Sequence, residues 1–166
     1  MNAATASAPE PAAAVDANAE PSRPRLITQP DVAPVDVLKV ERIDHGVQAM
    51  HDAALMRRLA AERIPLTVCP LSNLKLCVFP DLAKHNLKQL LDAGLAVTVN
   101  SDDPAYFGGY INANFTQLFA AVPALTARDA YQLAFNSFEA SFAGNADKRA
   151  WEHKLKETFE RFVEYD

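Results

Sequence analysis

The strongest constraint on this chain is a rhythm of short apolar runs separated by segments of helical spacing. "VLKVERIDHG" (residues 37–46), "IPLTVCPLSN" (64–73) and "LAVTVNSDDP" (95–104) are apolar and β-branched, and each runs into polar residues. Between the first two, "HDAALMRRLAAERI" puts Ala54, Leu55, Leu59 and Ala60 on one face, with Asp52 placed to serve the helix start. Between the second and third, "PDLAKHNLKQLLDAG" turns Leu82, Leu87, Leu90 and Leu91 inward and stops at Gly94. Strands that are apolar on both faces and alternate with helices predict a parallel sheet covered by helices. The order β-α-β-α-β therefore makes this an α/β chain. Three more helices are expected, in "YINANFTQLFAAV", in "TARDAYQLAFNSFEASFA" with a near capping box at Thr126 and Asp129, and in "DKRAWEHKLKETFERFVEYD". The last carries Trp151, Leu155, Phe159 and Phe162 as one stripe.

In a parallel α/β fold all strand C-termini lie at one end, which is where such proteins build their sites. That rule brings three separate stretches to one rim: His45, then Ser72 and Asn73, then Asp102 and Asp103. Two adjacent carboxylates at a strand end repel and are costly to desolvate. A metal ion removes that objection, because a coordinated carboxylate stays ionised. Taken singly, the same residues also read as structural: Asp102 as a cap for the segment that follows, Asp103 as an Asp-Pro turn residue, His45 as a turn residue before Gly46. Their convergence on one rim favours a site. His51, His85 and His153 read as solvated surface residues, Cys69 and Cys77 as reduced packing residues, and Lys75 as a solvated loop lysine.

Composition sets the outer limits. The 166 residues include enough apolar content (49%) for one core, and a net charge of -5 gives no basic footprint for nucleic acid. No apolar run approaches the roughly 18 residues needed to cross a bilayer. Two cysteines and no secretory signal point to a reducing cytoplasm. Residues 1–36 hold much proline and alanine with almost nothing to form a core, and are expected to be a disordered leader before a domain spanning 37–166.

The motifs "RIDHG", "VCPLSNLKLCVF", "VTVNSDDPAYFGGYINANF" and "FNSFEASF" together resemble the adenosine and adenine deaminases, over roughly residues 38–162. These are zinc-dependent purine aminohydrolases on a (β/α)8 barrel. The longer "CPLSNLKLCVF" is nearer the adenine deaminase branch, with adenosine deaminase as the alternative. The resemblance implies that Asp102 ligates zinc and helps orient the attacking water. It implies that Asp103 hydrogen-bonds the purine ring at N7. His45, not itself a ligand, would stand beside the nucleophile and stabilise charge as the tetrahedral intermediate forms. Ser72 and Asn73 fall within a family motif without an assigned role.

The chain also departs from the pattern. The family takes two zinc ligands from an H-x-H, and a third histidine and a glutamate from the strand before "RIDHG". This chain has no H-x-H, and "EPSRPRLITQPDVAP" contains no histidine. A full barrel runs to about 250 residues, and three strands matching the last three correspond to its C-terminal third to half. The expectation is a truncated barrel: the last three βα units plus C-terminal helices, with zinc as the family's cofactor and a purine as its substrate. Such a chain is expected to be inactive alone, to bind zinc poorly, and to self-associate through open sheet edges or to pair with a missing N-terminal barrel half. The alternatives are one half of a split enzyme and a non-catalytic purine-binding module.

Overall fold

The computed structural model describes Val35 and residues 38–164. The leader expected over residues 1–36 thus lies outside the described residues, Val35 excepted. Three strands form one sheet in the order β1 (Ile43–Asp44), β2 (Leu66–Val68), β3 (Val97–Val99). Both pairings are parallel, with Ile43 opposite Leu66, and Leu66 and Val68 opposite Val97 and Val99. Seven α-helices are described: α1 (Ala53–Ala61), α2 (Pro70–Lys75), α3 (Leu87–Asp92), α4 (Pro104–Phe107), α5 (Ile111–Ala121), α6 (Ala127–Glu139) and α7 (Asn145–Glu164). Helices between successive parallel strands are the arrangement the sequence rhythm predicts, consistent with consecutive βα units of a TIM-type barrel.

The sheet is where the apolar runs meet. Leu66, Val68, Val97 and Val99 are buried, and Leu59, Leu87, Leu90, Leu118 and Leu133 cover them from α1, α3, α5 and α6. Burying each such side chain stabilises by about 1.5–3 kcal/mol relative to leaving it exposed. Asp52 caps α1 as expected, its carboxylate accepting from the N–H groups of Ala54 and Leu55. Thr126 and Asp129 form a complete capping box at the start of α6.

Three elements differ from the expectation. The first strand is two residues long rather than most of 37–46. Among the described residues its one ladder partner is β2, which follows Pro65, and Lys39 has a left-handed φ of 52° that breaks extension. Pro65 still accepts from Ile43 N–H at 2.9 Å, but a proline has no N–H to carry the ladder further. The single helix expected over 80–94 is split into a 3-10 turn (Leu82–Lys84) and α3, because His85 is extended (φ -66°, ψ 132°). Finally, "PLSN" after β2 is helical rather than a loop. Pro70 sits at the first helical position, where its missing N–H costs nothing, and Lys75 closes that helix.

The free edge of β3 is also less open than expected. Residues 96 and 100 bond toward β2, through Leu66 N–H to Ala96 O and Asn100 N–H to Val68 O. Val97 therefore faces away from β2, and its carbonyl accepts from the buried Asn136 Nδ2 of α6 at 2.8 Å. A helix-borne amide thus satisfies a group that would otherwise template edge pairing.

Candidate active site

The strand ends meet as expected. His45 follows β1, Ser72 and Asn73 lie on α2 just beyond β2, and Asp102 follows β3 by three residues. Parallel register carries this alignment, for His45 N–H donates to Thr67 O at 3.0 Å and Asn100 N–H to Val68 O at 2.8 Å. His45 Nε2 lies 3.6 Å from Asp102 Oδ2. Ser72 Oγ donates to the same Oδ2 at 2.7 Å, and Asp103 N–H donates to Asp102 Oδ1 at 2.9 Å. Both His45 and Asp102 have a left-handed φ of 57°. For a residue with a Cβ that conformation costs roughly 1–2 kcal/mol, so two instances on one rim are held there by the surrounding structure.

Asp102 and Asp103 have separate tasks. The Asp103 carboxylate caps α4, Oδ1 accepting from Ala105 N–H at 3.0 Å and Tyr106 N–H at 3.1 Å. Capping thus belongs to Asp103 and not to Asp102, and it occupies one of the two Asp103 oxygens. Asp102, held by Ser72, is the carboxylate that faces His45.

A shallow, open cleft of about 280 Å³ is lined by Arg42, Asp44, His45, Thr67, Cys69, Asn100 and Asp102. Sequence reasoning placed His45, Cys69 and Asp102 at this rim, with Cys69 read as a packing residue, and missed Arg42, Asp44, Thr67 and Asn100. Asp44, Thr67 and Cys69 come from the strand ends themselves, and Thr67 Oγ1 donates to Asp44 Oδ1 at 2.9 Å. Cys69 is buried and stands at the strand end, both as expected. Burial, and after it the charge of Asp102, push its thiol up to about 12, with Asp44 adding to the rise against a backbone hydrogen bond at Asp102. The protonated thiol donates to Thr67 O at 3.4 Å. Cys77, in contrast, is exposed, so the packing role expected for it does not hold.

His85 is the largest correction among the histidines. It is buried to 4% exposure rather than solvated, because the break at residue 85 turns its ring inward. There it meets Asn73 Oδ1 at 3.2 Å and stacks obliquely on Phe79. Asn73 in turn reaches His45 Nδ1 at 3.2 Å. His51 and His153 are exposed, in line with expectation.

His45, Cys69 and Asp102 each offer one ligand atom, and these atoms lie within 4.8 Å of one another. Nitrogen, sulfur and carboxylate oxygen are all zinc donor types. The Asp102 carboxylate fits that use, with Ser72 orienting it from behind. Cys69 carries a thiol that burial pushes up to about 12, and coordination to a cation would displace its proton.

Fold and rim together define a parallel α/β protein with an aspartate–imidazole site at its strand ends. The family model described as adenosine deaminase matches residues 28–158. The chain belongs to the adenosine deaminase family. It is 68% identical over 128 residues to an adenine deaminase of Albidiferax ferrireducens, covering 77% of this chain and 37% of the relative. It is 60% identical over 130 residues to an adenine deaminase of Geotalea uraniireducens, covering 78% of this chain and again 37% of the relative. Among solved structures, an adenine deaminase from Arthrobacter aurescens superposes with a TM-score of 0.74 at 48% identity, over 77% of this chain and 39% of that one. An amidohydrolase from Burkholderia ambifaria, solved with bound zinc, gives 0.70 at 25% identity, over 80% of this chain and 37% of the other. The chain thus spans little more than a third of the length of the relatives it matches.

Proposed function

We propose that this chain supplies the C-terminal strand-end rim of a hydrolytic adenine deaminase. The reaction is adenine plus water giving hypoxanthine plus ammonia. The observation that carries this reading is the meeting of Asp102, His45 and Ser72 at the strand ends, in a chain 68% identical to an adenine deaminase. Asp102 is the residue that would hold a zinc ion, as the zinc-bound neighbour suggests by likeness. The ion's chemistry at such a site is to acidify water so that a nucleophile exists at neutral pH.

The chain's own groups do the rest. Ser72 keeps Asp102 Oδ2 pointed into the cleft. His45, 3.6 Å from that oxygen, is placed to stabilise charge developing on the reacting oxygen. Asp103 contacts the purine ring with the oxygen that does not cap α4. One carboxylate is only a quarter of a usual four-donor zinc shell, so the chain by itself is proposed to be inactive. A partner segment carrying the remaining barrel strands would complete it. Two unpaired thiols favour a reducing cytoplasm, and no described helix is long and apolar enough to cross a membrane.

The test is a graft. Residues 38–164 replace the matching segment of the Albidiferax ferrireducens relative, and hypoxanthine and ammonia release are measured with adenine and with adenosine. Turnover of adenine is expected, with Asp102→Ala lowering kcat/KM by at least about 10³-fold. Turnover indifferent to Asp102→Ala would overturn the metal-ligand role, and preference for adenosine would move the substrate to the nucleoside.

A further inference from the structure

Behind the rim runs a line of hydrogen bonds whose direction is set by the main chain. Leu87 N–H donates to His85 Nδ1 at 3.1 Å. A backbone N–H can only donate, so Nδ1 carries a lone pair and the neutral ring holds its proton on Nε2. Burial lowers the His85 pKa to about 4, which keeps that ring neutral near pH 7. Nε2–H therefore donates to Asn73 Oδ1, 3.2 Å away. That contact fixes which way the Asn73 amide points, because its oxygen must accept. Its NH2 then faces His45 Nδ1 at 3.2 Å, and an NH2 can only donate. His45 Nδ1 must accept, so the proton of the neutral ring lies on Nε2. Nε2 is the atom 3.6 Å from Asp102 Oδ2, on the cleft side.

We propose that Asn73 and His85 are positioning residues which hold His45 as its Nε2–H tautomer, with the polarity of the line set by the Leu87 N–H. The site then meets a hydrogen-bond donor from His45 instead of a lone pair. Neither ring nitrogen is free to bind a metal: Nδ1 is occupied by Asn73 and Nε2 is protonated. In the deaminase reading, on which the catalytic meaning of this device rests, the donor faces the oxygen on which charge develops. Asn73 is 2% and His85 4% exposed, so the line is shielded from water that would otherwise exchange its partners. Phe79, with its ring centroid 4.4 Å from that of His85, fixes the plane of the inner ring.

The test reads protons and not turnover. The full chain, labelled with 15N in its histidine rings, is examined by solid-state NMR at about pH 8, above the ordinary imidazole range. This method tolerates assemblies of any size, and His45→Gln and His85→Gln assign the signals. The expected wild-type spectrum shows a protonated Nε2 and an unprotonated Nδ1 for both rings. In Asn73→Asp the group facing His45 only accepts, so His45 Nδ1 is expected to gain a proton and its nitrogen signal to shift to the protonated range. A wild-type His45 with its proton on Nδ1 overturns the proposal, and so does an Asn73→Asp spectrum with Nδ1 still bare. Should Asn73→Asp not fold, the wild-type spectrum decides alone. An inactive graft with the expected tautomers would remove the deaminase reading and leave the line of hydrogen bonds standing.

Discussion

Asp102 and His45 both stand in left-handed backbone within three residues of the end of a parallel strand, and both line the same cleft. Their candidacy was legible because strand-end position follows from the apolar runs alone. Their conformations were not, since φ is decided by what packs beneath each turn. His85 marks the other limit of the sequence. Within a continuous helix it falls on the polar side, and only the extended backbone at residue 85 turns it into the core. That burial has a consequence for acid stability. His85 has an ordinary pKa of 6.5 when exposed and about 4 in the fold, so between those values the unfolded chain binds the extra proton. Stability is then complete above about pH 6.5 and falls as the pH drops toward 4, by on the order of 3 kcal/mol at the low end. Urea denaturation of wild type and His85→Gln at a series of pH values checks this. The variant is expected to lose this part of the pH slope, and an unchanged slope would mean that the ring is charged or hydrated in the fold.

At the scale of elements, the amphipathic helices were the most readable parts, because their apolar spacing and caps are local. The Thr126–Asp129 capping box and the Asp52 cap both appear where the sequence places them. The short elements were less readable. "CPLSN" looks like a strand stopped by proline, yet proline at a first helical position is equally favourable, and burial of Pro70, Leu71, Ser72 and Asn73 settles it as α2. Gly46 ties β1 to the 3-10 turn that follows, with φ 68°, and a Cβ there would lie 2.6 Å from Leu66 Cδ2. Gly46→Ala therefore strains the backbone and crowds the central strand, with an expected loss of about 1–3 kcal/mol. Chemical denaturation measures it, and a change below about 0.5 kcal/mol would show that the turn relaxes freely.

On the scale of the whole molecule, the sheet has β2 between two strands that each have one ladder neighbour among the described residues. The parallel order was legible from the βαβ rhythm, whereas the cover that Asn136 gives β3 depends on a contact 39 residues apart in the chain. The metal question is also one of the whole molecule, because a zinc shell usually takes four donors, or three and a water. The chain has four histidines. His45 is bound through Nδ1 to Asn73, His85 through both nitrogens, and His51 and His153 are exposed and lie outside the three-residue rim cluster. Asp102 is the carboxylate of that cluster, held by Ser72 and facing His45. The most direct measurement is the zinc retained by the purified full chain, titrated against a chelating dye at about pH 7.5, a pH at which most free imidazoles are neutral. The account predicts a Kd no tighter than about 10 µM, equivalent to about 7 kcal/mol, well short of the roughly 10–16 kcal/mol of complete zinc sites. Stoichiometric zinc held at nanomolar affinity and lost in Asp102→Ala would contradict it, and would make His45, Cys69 and Asp102 a metal site in their own right.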